Sequence, residues 1–344
     1  MRRSLIAALI AASVAALGAA PQDGPSLPRQ LDAYLTESVH LGAADRGTLL
    51  SGKPITKLLA SDPNKEVGVF GAVWIDGPAR AYVALVRDIE RFEQGDAFRV
   101  TKRISNPPKL DDFAALEIPD DDLADLAHCQ VGRCELKLGA NALDLLRSQV
   151  KWNQPSTRAD VTAIIRRLAL EYVTGYLDGG NEKLAVYRDK DRPTFVANEL
   201  RSMIGQLPPL DKYLPDMKRY LLEYPRVTLP DSTDFLYWQE TQFGLKPTIR
   251  INHVVIQERP EQTVVASKML YASHYFWTAL ELRVLVPDPP RGPGFWFVTV
   301  SRSRSDGLSG FTGRVLRGSV QSEALNGTLS ALAATKAKLE SPRQ

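Results

Sequence analysis

Cysteine and histidine are scarce in this chain: two and four among 344 residues. That leaves little to build a metal centre from. Cys129 and Cys134, in the string HCQVGRC, could join His128 around a metal, but the remaining ligand would have to come from a histidine far off in sequence. An excess of one charge is missing too. The formal net charge is +3, and Arg2 and Arg3 supply two of those positive charges. The rest is close to neutral and lacks the basic footprint that binding to nucleic acid requires. Beyond residue 20 no apolar run is long enough to span a bilayer. No G-x-S-x-G, H-E-x-x-H, Walker-type loop or dinucleotide fingerprint occurs. The pairs Gly292/Gly294 and Gly310/Gly313 lie in a proline-rich turn and at a helix start, where they are weak phosphate cradles. No cofactor is implied.

The first segment, MRRSLIAALIAASVAALGAA, has a basic start, an apolar stretch over 5–17 and a small-residue exit. Residues 1–20 therefore read as a cleaved signal peptide, which predicts a periplasmic or secreted protein with no integral membrane segment after cleavage. The alternative is an anchor that is never cut. No cysteine follows the apolar stretch, which argues against a lipid-modified amino terminus. In an oxidising compartment Cys129 and Cys134 can close a small disulfide loop around Gly132. The chain-entropy model assigns so short a loop about 2 kcal/mol. Free thiols or a metal site are the competing readings.

Residues 21–65 form a proline-bearing leader and an amino-terminal helix near 31–39. Residues 67–74 alternate with both faces apolar, the pattern of a well-covered strand. Pro78 opens a helix whose apolar face is Tyr82, Leu85, Val86 and Ile89, and 97–104 follows as a strand. Residues 106–230 read as helical, with 158–177 the clearest helix. Five strands rich in β-branched and aromatic residues then begin near Phe235, Pro247, Thr263, Trp277 and Phe295. Their short connections favour antiparallel pairing. A long helix over 310–339 closes the chain, with Leu325, Leu329, Leu332 and Leu339 as its expected buried stripe.

The segments FGAVWIDGPARAYVALVRDIERF (70–92), VVASKMLYASHYF, GFWFVTVSRSRSDGLSGF and ALAATKAKLE, in this order, resemble the START-like (SRPBCC) lipid-binding superfamily. The resemblance is one of pattern over about half the chain rather than of a diagnostic motif. It implies an α+β helix-grip fold: a curved antiparallel sheet holding a long carboxy-terminal helix. The grip domain would comprise 66–105 and 231–340, interrupted by the helical insertion 106–230. That insertion is far larger than the family's short helices, and a lid or a partner surface are its candidate roles. The superfamily's functions are diverse, so fold alone does not fix the activity.

Candidate ligand-binding residues fall in the late strands. His253 shares a strand face with Ile249, Ile251 and Val255, and His274 lies among aromatics in YASHYFW. Each is read either as a satisfied core histidine or as a polar anchor in an apolar pocket. Trp238, Tyr271, Trp277 and Trp296 belong to an aromatic cluster that is either core packing or the lining of a cavity. Arg302 and Arg304 share one face, either solvated or holding a carboxylate or phosphate head group, with Asp306 as a possible partner. Asp120, Asp121 and Asp122 suit a helix start.

Three functions compete. The first is an exported protein enclosing a lipid or other apolar small molecule between sheet and terminal helix. The second is a cavity enzyme using His253 or His274 with a carboxylate such as Glu240 or Glu281. The third is an interaction protein docking an envelope partner through the helical insertion.

Overall fold

The structure, a computed structural model, describes residues 26–244, 246–308 and 310–341. The expected signal segment lies outside the described residues. Two short helices lead: α1 (Arg29–Glu37) and α2 (Ala43–Leu50), the second without a clear periodic signal in the sequence. The hairpin β1 (Ile55–Leu59) and β2 (Glu66–Ile75) follows. Helices α3 (Ala79–Arg87) and α4 (Ile89–Phe92) then carry the chain across the sheet to β3 (Phe98–Arg103).

The helical block contains α5 (Asp120–Leu126), α6 (Ala140–Gln149) and α7 (Thr157–Gly179). A two-residue ribbon, β4 (Val186–Tyr187) with β5 (Thr194–Phe195), precedes α8 (Val196–Gly205), α9 (Pro208–Tyr213) and α10 (Pro215–Glu223). Strands β6 (Ser232–Phe243), β7 (Lys246–Arg259), β8 (Gln262–Ala272), β9 (Phe276–Pro287) and β10 (Phe295–Ser305) form a meander, and α11 (Gly310–Glu340) ends the chain.

The protein is thus mixed α+β, with one eight-stranded antiparallel sheet in the order β1-β2-β10-β9-β8-β7-β6-β3. Strand β10 returns to pair with β2, setting Trp296 opposite Trp74 and Arg304 opposite Glu66. Strand β3 completes the far edge against β6. Cys129 and Cys134 form a disulfide. Among the described residues no helix is long and apolar enough to cross a membrane.

Both faces of the sheet are covered, which is why β2 is buried along its whole length. On one face Val73, Ile75, Leu285 and Phe297 pack with Tyr82, Val83 and Val86 of α3 and Leu332 of α11. On the other, Phe70, Ala72, Trp74, Trp296 and Val298 meet Leu31 and Leu35 of α1 and Leu49 of α2. Farther along that second face, Leu236, Trp238, Ile251, Val255 and Leu280 share a core with the helical block.

Helix α11 meets the sheet over β2. Leu332 is buried and Leu325 and Leu339 pack partly, but Leu329 is exposed, against the expected stripe. The seam runs through Thr328 and Leu332, four apart and both facing Gly71, which leaves Leu329 on its shoulder. A Cβ on Gly71 would lie 2.8 Å from Leu332 and 2.9 Å from Thr328. Gly71→Val should therefore push α11 off β2 and lower stability by about 1–3 kcal/mol in urea denaturation. An unchanged midpoint would show that the seam carries no packing load.

Candidate functional site

The second face of the sheet is not completely filled. Between α1 and α9 lies an apolar crevice of about 390 Å³. Its floor is made by alternate residues of two paired strands: Leu282, Val284 and Val286 of β9, and Val298 and Val300 of β10. Strand alternation puts all five on one face. Leu31 and Tyr34, three apart on α1, make one wall; Leu207, Leu210 and Tyr213, also at spacings of three, make the other. Burial holds the Tyr34 phenol well above its ordinary pKa despite the opposing pull of Arg302, so it stays a neutral hydroxyl.

Arg302 lines the same crevice, next along the face after Val298 and Val300. Its Nη1 donates to Glu66 and its Nη2 to the Ala60 carbonyl (2.9 Å). Its Nε is buried with no hydrogen-bond partner among the described residues. Arg304 is fully buried and fully engaged. It donates to Glu66 (2.7 Å), to the Glu199 carboxylate (2.9 Å) and to Gln206 (3.1 Å). The solvated reading of these two arginines is therefore corrected: both are buried, and α8 supplies Glu199 to Arg304. Asp306 pairs with Lys137 (2.8 Å) and not with either arginine.

A second cleft, about 380 Å³, opens beside His253, Asp234 and Tyr224. His253 is buried, and its Nε2 lies 2.8 Å from Asp234 Oδ2, an acceptor, so Nε2 carries the proton. Nδ1 then accepts from the Tyr176 hydroxyl at 2.8 Å. Desolvation lowers the His253 pKa, with Lys268 adding to the shift and Asp234 opposing it. Hydrogen bonding from His253 is the main cause holding Asp234 below the usual carboxylate range. Tyr220 also donates to Asp234 (3.0 Å).

His274, likewise buried, faces two acceptors: Asp122 at 3.0 Å from Nε2 and the Glu135 carbonyl at 3.2 Å from Nδ1. Asp122 is thus a buried partner and not only a helix-start charge. Both nitrogens of each ring are hydrogen-bonded within the fold. Their carboxylates are Asp234 and Asp122, not the expected Glu240 and Glu281.

The other aromatic candidates are packed into the second face. Trp238 donates to the Asp112 carbonyl (2.8 Å) and stacks on Phe113. Trp296 donates to Asp288 (2.9 Å) and meets Trp74 edge-on. Tyr271 contacts Tyr172 and Tyr187, and Trp277 packs against the core of the helical block. Of the eight candidates only Arg302 reaches the apolar crevice, and only His253 reaches the second cleft.

The face beneath α3, α4 and α11 carries charge. Arg283 donates through Nε to Glu281 (2.9 Å). Gln239, with its amide nitrogen toward Glu93 and its oxygen toward Arg250, bridges those two. Burial raises the Glu93 carboxyl pKa, with Arg283 and Arg250 opposing. Asn252 Nδ2 on this face is buried without a partner among the described residues.

Compared with known proteins, the chain matches no family model, and no curated protein is significantly similar to it.

Sequence reasoning missed Tyr34, Leu207, Leu210 and Tyr213. Their spacing of three was the available signal, but nothing local says that two helices 170 residues apart share a hollow.

Near the second cleft, Lys268 is fully buried and donates to Asn181 (2.8 Å). Desolvation pulls its pKa from 10.5 down to about 7. Between those values the unfolded chain binds a proton that the folded chain does not, so stability rises with pH across that window. Urea denaturation should show a rise approaching about 1.4 kcal/mol per pH unit from this group, lost in Lys268→Met. A variant with the same slope as the parent would disprove the assignment.

Proposed function

We propose that this protein is an exported binding protein that encloses a small, largely apolar molecule. The guest lies in the crevice between α1, α9 and the β9–β10 floor. The observation that carries this reading is the hollow itself: about 390 Å³ with an apolar floor and walls. Small-molecule sites are preformed, mostly apolar and have few polar groups, within a range of about 300–1,000 Å³.

The order of elements supports a helix-grip fold of the START-like kind. Strand β2, a helix pair and β3 precede the helical block and a meander whose last strand returns to β2, and a long helix follows. In such a fold the expected guest would lie between sheet and terminal helix. Here that face holds Glu93, Arg250, Glu281 and Arg283, whose charges suit an apolar guest poorly. The crevice on the opposite face suits it better. Export to the periplasm or beyond rests on the signal-like first twenty residues and fits the disulfide.

One observation favours a second reading, docking of an envelope partner through the helical block. Leu110, Val131, Val186 and Phe195 of that block are exposed, and Val186 and Phe195 are paired across the β4–β5 ribbon.

The test is to fill the floor. Val284→Trp should weaken binding of a neutral apolar fluorophore such as N-phenyl-1-naphthylamine by at least about tenfold while leaving the unfolding midpoint near that of the parent. A folded variant that binds the fluorophore as well as the parent would place the guest elsewhere.

A further inference from the structure

We propose that the guest of the crevice carries a carboxylate, and that Arg302 receives it; this rests on the crevice reading above. Arg302 is only 7% exposed, yet it stands in the crevice wall. Two of its three nitrogens are bonded within the fold, and Nε is left as a buried donor with no partner among the described residues. An unmade hydrogen bond on a buried charged group is costly, and an acceptor from a guest removes that cost.

The charge around it leans the same way. Lys65, Arg302 and Arg304 form one connected ion set with Glu66 and Glu199. Three cations face two carboxylates, so the set retains one positive charge for an incoming anion. A single charge matches a carboxylate better than a dianionic phosphate. Tyr213 supplies a second polar atom on the same crevice, its hydroxyl, and Lys212 is its close neighbour, with the ammonium 5.2 Å from the ring centre. Two acidic groups also line the hollow. Glu37 is paired with Lys212, and Glu261 lies on the exposed side, where a second negative charge on the guest would meet it.

The floor sets the shape. Val298, Val300 and Arg302 follow one another on one face of β10, spanning roughly 13 Å at the rise of a strand. A guest lying along them presents a chain to the valines and its head to the guanidinium. The class is therefore an amphiphile of the fatty-acid type: an aliphatic or aryl-aliphatic body with one terminal carboxylate.

The experiment compares dodecanoate, dodecanol and dodecyl phosphate by displacement of the neutral fluorophore from the full mature chain. Dodecanoate should bind at least about tenfold more tightly than dodecanol, the effect of one charge-assisted hydrogen bond, and more tightly than dodecyl phosphate. Arg302→Gln should bring acid and alcohol together while leaving the alcohol unchanged. Should that variant fail to fold, because Glu66 loses a partner, Tyr213→Phe tests the same head site and should narrow the preference. Equal affinity for acid and alcohol, tighter binding of the phosphate, or an acid preference that survives both variants overturns the carboxylate assignment and leaves the crevice standing. Displacement by none of the three, or binding indifferent to Val284→Trp, removes the crevice reading and this one with it.

Discussion

Glu66 is the point on which the architecture turns. It is the first residue of β2 and almost fully buried, and it receives guanidinium groups from two residues of β10 more than 230 positions away. A carboxylate taken from water at such a place is tolerable only when paired, and removing one partner of a buried pair costs about 3–5 kcal/mol. The pairing therefore does more to select a register than to add stability. Sliding β10 by one residue along β2 would turn both arginines to the opposite face and leave Glu66 alone. Because Arg304 also reaches Glu199 and Gln206, the same ion set fixes α8 against the sheet. The end, the floor and one wall of the crevice are thus positioned by a single group of charges.

That register divides the chemistry of the sheet between its faces. Beneath α3 and α11 the apolar residues near β2 give way to Arg283, Glu281, Arg250 and Gln239 toward the middle strands. On the other face the apolar ladder of β9 and β10 continues until Arg302. The aromatic side chains of that face satisfy their polar tips within the fold, Trp238 on a carbonyl and Trp296 on Asp288. They act as scaffold, and recognition falls to a few polar atoms at the crevice.

Much of the fold was legible because it is written in local periodicity. The strand beginning near Thr263, the helix over 158–177 and the terminal helix each announce themselves by pattern and turn chemistry, and the observed elements lie within a few residues of them. The disulfide was one of three readings of the HCQVGRC string, favoured by the oxidising compartment that the first twenty residues imply. The site was less so, since its members are joined by register and tertiary packing. His253 stood out as an imidazole on an apolar face, but Asp234 comes from the neighbouring strand and Tyr176 from α7, and no local pattern names either. Arg302 and Arg304 left two readings open, a solvated face or a head-group site, because alternation with serine is also the pattern of a half-exposed strand. Arg304 is held under a helix a hundred residues earlier, and Arg302 by Glu66 and the Ala60 carbonyl.

The boundaries of the crevice differ in how firmly they are held. Its floor belongs to a continuous antiparallel sheet, with β10 bonded to strands on both sides. Its walls meet through an edge-on contact between Tyr34 and Tyr213, 5.8 Å between ring centres, and the solvent-facing pair Glu37–Lys212. An aromatic edge contact contributes on the order of 1 kcal/mol, and an exposed ion pair adds little. Separating the floor would instead break a ladder of backbone hydrogen bonds and expose a buried carboxylate. Access to the interior is therefore cheapest between α1 and α9.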